Sequence, residues 1–377
     1  MNEIKYLCSN ILGEYNVNDD SIDLLNAARA FLQCKESEAE ENINNIIKNS
    51  ENQKTISKAQ EILLSILFWQ GRYLEIEKLA LLPDEKKNLV ASIIGFYHNP
   101  QCEVLVNDVH SIIDMPNIME GLPAITVKIN GIDVDLLFDT GSMVTVLSEG
   151  IARKCGVNID SQQSTLEGQD AAGNILNPIP AQINNIKING IEIINKTCLL
   201  LPDEMLEFGI DESGKVRRID GTIGWDIIKD FKWTINAKDK MVIIDASQAS
   251  NEMKNFCCDF YPMVNVSYEG KNMCLGLDTG ANNTVLRKSM VAELGKLYKS
   301  NVKTYSAGNI THEEGFRISE LDLFIGTELA KIKNATVREQ LHNNTNNFIL
   351  PGVIGFDIAK NKKMVIDFPN RLLSLEK

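Results

Sequence analysis

The feature that constrains this chain most is a block that occurs twice. Leu136-Leu137-Phe138-Asp139-Thr140-Gly141-Ser142 is answered by Leu275-Gly276-Leu277-Asp278-Thr279-Gly280-Ala281. Each copy sets one aspartate between an apolar run and Thr-Gly. A single Asp-Thr-Gly is most often a turn, so the neighbours must be compared at a fixed spacing. The aspartates are 139 residues apart, and at that spacing Pro123 meets Pro262, Gly131 meets Gly270, and Thr145-Val146-Leu147 meets Thr284-Val285-Leu286. Ala172-Gly173-Asn174-Ile175 returns as Ala307-Gly308-Asn309-Ile310 at a spacing of 135. Gly221-Thr222-Ile223-Gly224-Trp225-Asp226-Ile227 returns as Gly352-Val353-Ile354-Gly355-Phe356-Asp357-Ile358 at 131, and Lys240-Met241-Val242-Ile243 as Lys363-Met364-Val365-Ile366 at 123. A spacing that shrinks in steps fits a duplicated unit whose second copy has shorter loops. Two carboxylates in equivalent frames imply a site where they face each other across a pseudo-twofold axis.

The chain has 377 residues, room for two or three domains, and its 44% hydrophobic and 24% charged residues are ordinary for a globular protein. A net charge of −13 with no local basic patch argues against a nucleic-acid partner. The acidity suits basic substrates, and equally suits simple solubility. The polar opening Met1-Asn2-Glu3-Ile4-Lys5 has no signal-peptide pattern, and no apolar run is long enough for a bilayer. The expectation is a soluble cytoplasmic protein with no membrane partner. Eight scattered cysteines lack metal-ligand spacing and read as reduced and mostly buried, and four dispersed histidines make no zinc site.

Residues 1–115 read as an all-α N-terminal domain. Apolar residues recur at helical spacing at Ile22, Leu25, Ala28, Phe31 and Leu32, at Ala59, Ile62, Leu63, Ile66 and Leu67, and at Val90, Ile93 and Ile94. Asp19-Asp20-Ser21 suits a helix N-terminus. The run from Ala59 to Leu79 loosely resembles one tetratricopeptide-like helix-turn-helix. It implies either a bundle packed on the rest of the chain or a helical array that binds a peptide or partner. At Leu122-Pro123 the period changes to two. Ile125, Val127 and Ile129 alternate with polar residues, Asn130-Gly131 is a hairpin turn, and Ile132, Val134 and Leu136 lead into Asp139. Asn189-Gly190 marks another hairpin, and 211–215 a polar loop. The expected architecture is mainly β, with closed-barrel lobes over 116–250 and 251–377, preceded by the helices.

These motifs resemble the retropepsin-like aspartic peptidases over roughly residues 120–377. The resemblance rests on the apolar-Asp-Thr-Gly-Ser/Ala turns and the later Ile223-Gly224 and Ile354-Gly355 blocks. Retropepsins usually carry one motif per chain and dimerise; this chain carries both, in the manner of a fused, pepsin-style pair. The resemblance implies an endopeptidase that needs no cofactor, with Asp139 and Asp278 catalytic. Carboxyls about 3 Å apart share one proton, so one can act as base on a water and the other as acid. It implies that Thr140 and Thr279 bond across the axis and that Gly141 and Gly280 offer N–H groups to the carboxylates. Ser142 could hydrogen-bond Asp139, which Ala281 cannot do for Asp278, making Asp139 the more readily ionised. Gly224 and Gly355 would lie beneath each turn, where a side chain would collide, and Asp226 and Asp357 would cap the short helices that follow. Ala172-Gly173-Asn174 and Ala307-Gly308-Asn309 stand where the family has flaps that close on a peptide. The pepsin-like flap tyrosine has no counterpart in the first lobe; Tyr305 lies near the second hairpin. The rival reading is a catalytically silent peptide-binding or assembly module on the same fold. A glycosidase pair would stand about 5 Å or more apart and has no use for duplicated Asp-Thr-Gly turns.

Overall fold

The structure, a computed structural model, describes residues 5–11, 19–79, 81, 90, 102–106, 110–159, 166, 168–170, 173–210, 216–291, 297–306, 309–341, 345 and 347–377. The expected helical run at Ile93 and Ile94 and the polar loop 211–215 lie outside the described residues.

Two six-stranded rings carry the duplication. In the first, the hairpin Ala124–Ile129 and Ile132–Phe138 continues through Gly221–Ile223, Val146–Ser148, Ile191–Leu201 and Ile179–Ile188 back to its start. In the second the same circuit runs Pro262–Tyr268, Lys271–Leu277, Gly352–Ile354, Val285–Arg287, Glu328–Arg338 and Asn309–Ile325. Alternating apolar residues explain the strands: Val127 and Ile129 are buried while Thr126 between Ile125 and Val127 faces out. Asn130 and Asn189 hold φ of +47° and +48° at the hairpin turns, as Asn-Gly hairpins require.

A third sheet joins the lobes. Its order is Ser111–Asp114, Met241–Asp245, Lys232–Asn236, Lys363–Asp367 and Leu372–Glu376. At its centre Lys232 faces Asp367, Thr234 faces Val365 and Asn236 faces Lys363, a pairing that is its own twofold image. The register corrects one sequence match. The structural counterpart of Lys363–Asp367 is Lys232–Asn236, not the strand holding Lys240-Met241-Val242-Ile243. Both strands are short apolar runs, and similarity of letters chose the wrong one.

The all-α expectation for 1–115 also needs correction. Helices cover Asp19–Leu32, Glu36–Asn49, Gln53–Trp69 and Tyr73–Lys78, but Glu103–Val106 and Ser111–Asp114 are strands. Glu103–Val106 pairs with Ile191–Ile194, and Ser111–Asp114 borders the joining sheet with Ser111 and Ile113 buried. Val104, Val106, Ile112 and Ile113 are β-branched, which favours strand over helix here.

The helices pack on the second lobe. Gln53–Trp69 begins at Asn52, whose side chain accepts from the N–H groups of Lys54 and Thr55. It is buried on nearly every side from Ile62 to Trp69. Phe31 stacks on Phe348 at 6.0 Å, Asn265 donates to the Leu32 carbonyl at 2.7 Å, and the Ile349 N–H donates to the Lys5 carbonyl at 2.7 Å. Arg371 grips Glu36 through two guanidinium nitrogens at 2.5 and 2.9 Å. All eight cysteines are free thiols, seven of them buried. Among the described residues no helix is long and apolar enough to cross a membrane.

Phe31 is only 1% exposed, so truncating it removes packing between helix and lobe. Phe31→Ala is expected to cost about 3–5 kcal/mol in chemical denaturation. It should also raise amide exchange in Pro262–Tyr268, the strand whose Asn265 bonds the Leu32 carbonyl at the end of the same helix.

Candidate active site

Each aspartate stands where a strand gives way to a tight turn. The Asp139 N–H donates to the Ile223 carbonyl at 3.1 Å and the Asp278 N–H to the Ile354 carbonyl at 2.9 Å, so each turn hangs from the neighbouring strand of its ring. The turns are then joined to each other. The Thr140 N–H donates to the Thr279 hydroxyl at 3.0 Å, and the Thr279 N–H to the Thr140 hydroxyl at 3.0 Å. The Thr140 hydroxyl donates to the Leu277 carbonyl at 2.9 Å, and that of Thr279 to the Phe138 carbonyl at 2.7 Å. Both threonines are fully buried, so all four bonds are made away from water.

That lock brings the carboxyls together. A Cβ on Gly141 would stand 2.6 Å from the Asp278 carboxyl carbon, and one on Gly280 2.6 Å from that of Asp139. Each glycine is required because the opposite acid touches it. The two carboxyls hydrogen-bond each other. Burial pushes Asp139 above its ordinary value, against the N–H groups of Gly141, Ser142 and Gly280, which favour its charge. Burial and then the charge of Asp139 push Asp278 well up, partly offset by the Gly280 N–H and the Tyr261 hydroxyl. The pair therefore retains a proton above the ordinary carboxylate range and titrates as a unit.

Ser142 departs from expectation. Its hydroxyl donates to the Val144 carbonyl at 2.8 Å and receives the Thr222 hydroxyl at 3.3 Å, while its N–H faces Asp139. The hydroxyl braces the turn from outside, so its contrast with Ala281 is no ground for an easier ionisation of Asp139. Ala281 keeps the matching backbone bond, N–H to the Asp278 carbonyl at 3.2 Å.

Gly224 and Gly355 lie tight beneath the turns. A Cβ on Gly224 would sit 2.5 Å from the Val144 carbonyl carbon, and one on Gly355 2.6 Å from that of Asn283. Their φ values, −95° and −89°, suit any residue, so close approach alone selects glycine. Asp226 and Asp357 do not cap the helices after them, whose first turns have no side-chain cap. Each grips the threonine that follows the active turn. Asp226 accepts from the Thr145 N–H and hydroxyl, both at 2.9 Å, and Asp357 from those of Thr284 at 2.9 and 2.8 Å. The threonine hydroxyls accept in turn from the Gly224 and Gly355 N–H groups at 3.2 Å. Thr145 and Thr284 appear in the sequence repeat, yet nothing in the sequence pairs them with acids 81 and 73 residues away. Lys196 adds an ion pair to Asp226 at 3.0 Å.

Both expected hairpins form. Gly168–Gln169 pairs with Ile175–Leu176, and the Asp170 side chain accepts from the Asn174 N–H and amide at 2.8 and 2.7 Å, with Gly173 at φ +85°. Leu297–Ser306 pairs with Asn309–Ile325 down to Ser306 facing Asn309. Ala172, Ala307 and Gly308 lie outside the described residues.

Residues 125–210 match the family described as gag-polyprotein putative aspartyl protease. Among solved structures, a retropepsin-like aspartic protease from Rickettsia conorii aligns at 21% identity over 39% of this chain and 94% of its own, with a TM-score of 0.27. The aspartic proteinase from Irpex lacteus aligns at 11% identity over 71% of this chain and 97% of its own, with a TM-score of 0.45. No curated protein matches. The family match falls within the first of the two barrel lobes, which follow an N-terminal helical region.

Two outcomes follow from this geometry. Thr279→Ala strands the Thr140 N–H and the Phe138 carbonyl, at a cost of roughly 2–4 kcal/mol, and Thr279→Ser should recover most of it; denaturation midpoints measure both. Raised carboxyl values mean that, from the ordinary 3.8 upward, the folded chain binds more protons than the unfolded one, so these groups lower stability as pH rises. Asp278→Asn is therefore expected to melt higher than wild type near neutral pH, with the gap closing below about pH 4.

Proposed function

We propose that this chain is an aspartic endopeptidase whose nucleophile is a water activated by Asp139 and Asp278. The observation that carries this reading is the contact of two buried carboxyls, each resting on the glycine of the other's turn. Such a pair holds one proton between two acids and supplies base and acid together. The ionised member takes a proton from the water, whose oxygen attacks the scissile carbonyl carbon. The protonated member gives its proton to the carbonyl oxygen. Collapse of the tetrahedral intermediate breaks the C–N bond, and the amine leaves with a proton returned by the pair. The hairpins built from Gly168–Gln169 with Ile175–Leu176 and from Leu297–Ser306 with Asn309–Ile325 serve as flaps that lie along the peptide backbone and exclude water.

Selective processing, rather than bulk digestion, is supported by the helical region. Its first three helices form a groove of about 1010 Å³ with Asp23, Asn26, Arg29, Gln33, Asn42 and Asn49 in its lining. Side-chain amides there suit an extended peptide, so we assign the groove to substrate or partner recruitment. Eight free thiols favour a cytoplasmic location.

The test is digestion of a diverse peptide library by the full chain across acidic to neutral pH. Asp139→Asn and Asp278→Asn are each expected to lower cleavage at least about a hundredfold while leaving peptide binding intact. A wild-type chain that binds peptides and cuts none at any pH would favour the silent binding module instead.

A further inference from the structure

The two lobes differ beside the carboxyls in a way the duplication does not require. At the spacing of the aspartates, Gly121-Leu122-Pro123 corresponds to Phe260-Tyr261-Pro262, and Leu137 to Gly276. The backbone turns left-handed in both copies, with φ of +77° at Gly121 and +54° at Phe260. Glycine adopts that conformation freely, whereas a bulky aromatic residue is an outlier there and must be held by its surroundings.

Its holders are visible. The Phe260 ring packs on Phe68 and Trp69 at the end of helix Gln53–Trp69, with centroids 5.3 and 6.1 Å apart. Ser65 of the same helix donates to the Cys258 carbonyl at 3.2 Å. The helix thus wedges the segment that leads into Tyr261. Tyr261 itself is 9% exposed, and its ring lies along Gly276, where a Cβ would come within 2.7 Å of the ring carbon Cε1. Gly276 opens the space that Leu137 fills in the first lobe. From this seat the Tyr261 hydroxyl hydrogen-bonds the Asp278 carboxyl. Leu122 has no polar group with which to do the same for Asp139.

We propose that Tyr261 is a positioning residue for the carboxyl pair, aimed by the Phe260 wedge, and that its hydroxyl tethers Asp278 and eases the second ionisation of the pair. A phenol O–H donated to a carboxylate in a buried site is a charge-assisted bond and favours the ionised acid. Asp278 is faced by Asp139 from the first lobe and by Tyr261 from its own. Asp259, two residues before Tyr261, is buried but occupied, accepting from the Asn347 N–H and side-chain amide at 2.8 and 2.6 Å. The helices thereby bear on the proton at the active pair through one wedged residue. The catalytic consequence rests on the peptidase reading above: Asp139, whose charge raises Asp278, is the base toward water, and Asp278 holds the proton given to the carbonyl.

The experiment is a carbon-13 carboxyl titration of the full chain by NMR, with signals assigned from Asp139→Asn and Asp278→Asn. Tyr261→Phe keeps the ring on Gly276 and removes only the donor. It is expected to raise the upper apparent pKa of the pair by about one unit, a tenfold effect on the second ionisation. The basic limb of kcat/KM for peptide cleavage should move with it, while KM stays within about twofold. A Tyr261→Phe titration that superimposes on wild type would reduce Tyr261 to packing and overturn the proposal. Phe260→Gly retains the left-handed backbone but removes the wedge, and is expected to shift the titration in the same direction by less. Unchanged titration there would overturn the role of the wedge. If the wild-type chain cuts no peptide, the peptidase reading fails while the titration still decides the place of Tyr261.

Discussion

The reciprocal hydrogen bonds of Thr140 and Thr279 are the constraint on which the rest of the molecule depends. Each hydroxyl accepts from the opposite turn's N–H and donates to the opposite strand's carbonyl, so neither turn satisfies its own backbone without the other. Water is excluded, and no cheaper partner exists for those groups. The glycines that follow are then pressed against the facing carboxyls, and two acids that would repel in the open are made to share a proton. The joining sheet repeats the logic at larger scale. Its central pair of strands, centred on Thr234 and Val365, belongs equally to both lobes.

Much of this was legible in the sequence because duplication turns weak motifs into strong ones. The Asp-Thr-Gly turns, Gly224 and Gly355, and the hairpins all stand at matched positions, and the rings have the circuit that period-two patterning implies. What escaped notice was of two kinds. Short apolar strands such as Glu103–Val106 and Lys232–Asn236 carry too little pattern to declare their partners, which come from distant parts of the chain. Polar contacts set by tertiary approach, such as Asp226 with Thr145, leave no local trace at all. Tyr261 had a signal in hindsight: a tyrosine gained where its copy has leucine, beside a glycine where its copy has leucine.

The departures from symmetry are as informative as the repeat. Asp226 is backed by Lys196: burial works to lower the lysine's pKa, and the charges beside it, Asp226 first, outweigh that and leave it raised. Asp357 grips its threonine in the same way, and burial lifts its carboxyl above the usual range. The helices lie on one lobe and leave the other to its own barrel. Two units of common plan have therefore come to rest on different supports, which is what a site needs if its two acids are to differ in role.

The docking of the helices has a consequence for how the chain is made. Their apolar face is completed by Cys258, Asn265 and Phe348, with sequence separations of 193 residues for Ser65 to Cys258 and 233 for Leu32 to Asn265. At ribosomal speed that gap lasts on the order of ten to fifty seconds. During it the nascent helices hold Phe31, Leu32 and Phe68 without their final cover, while the first barrel has time to close. The order of emergence thus makes the helices wait for their seat, and a holdase that shields aromatic residues would act on them in that interval.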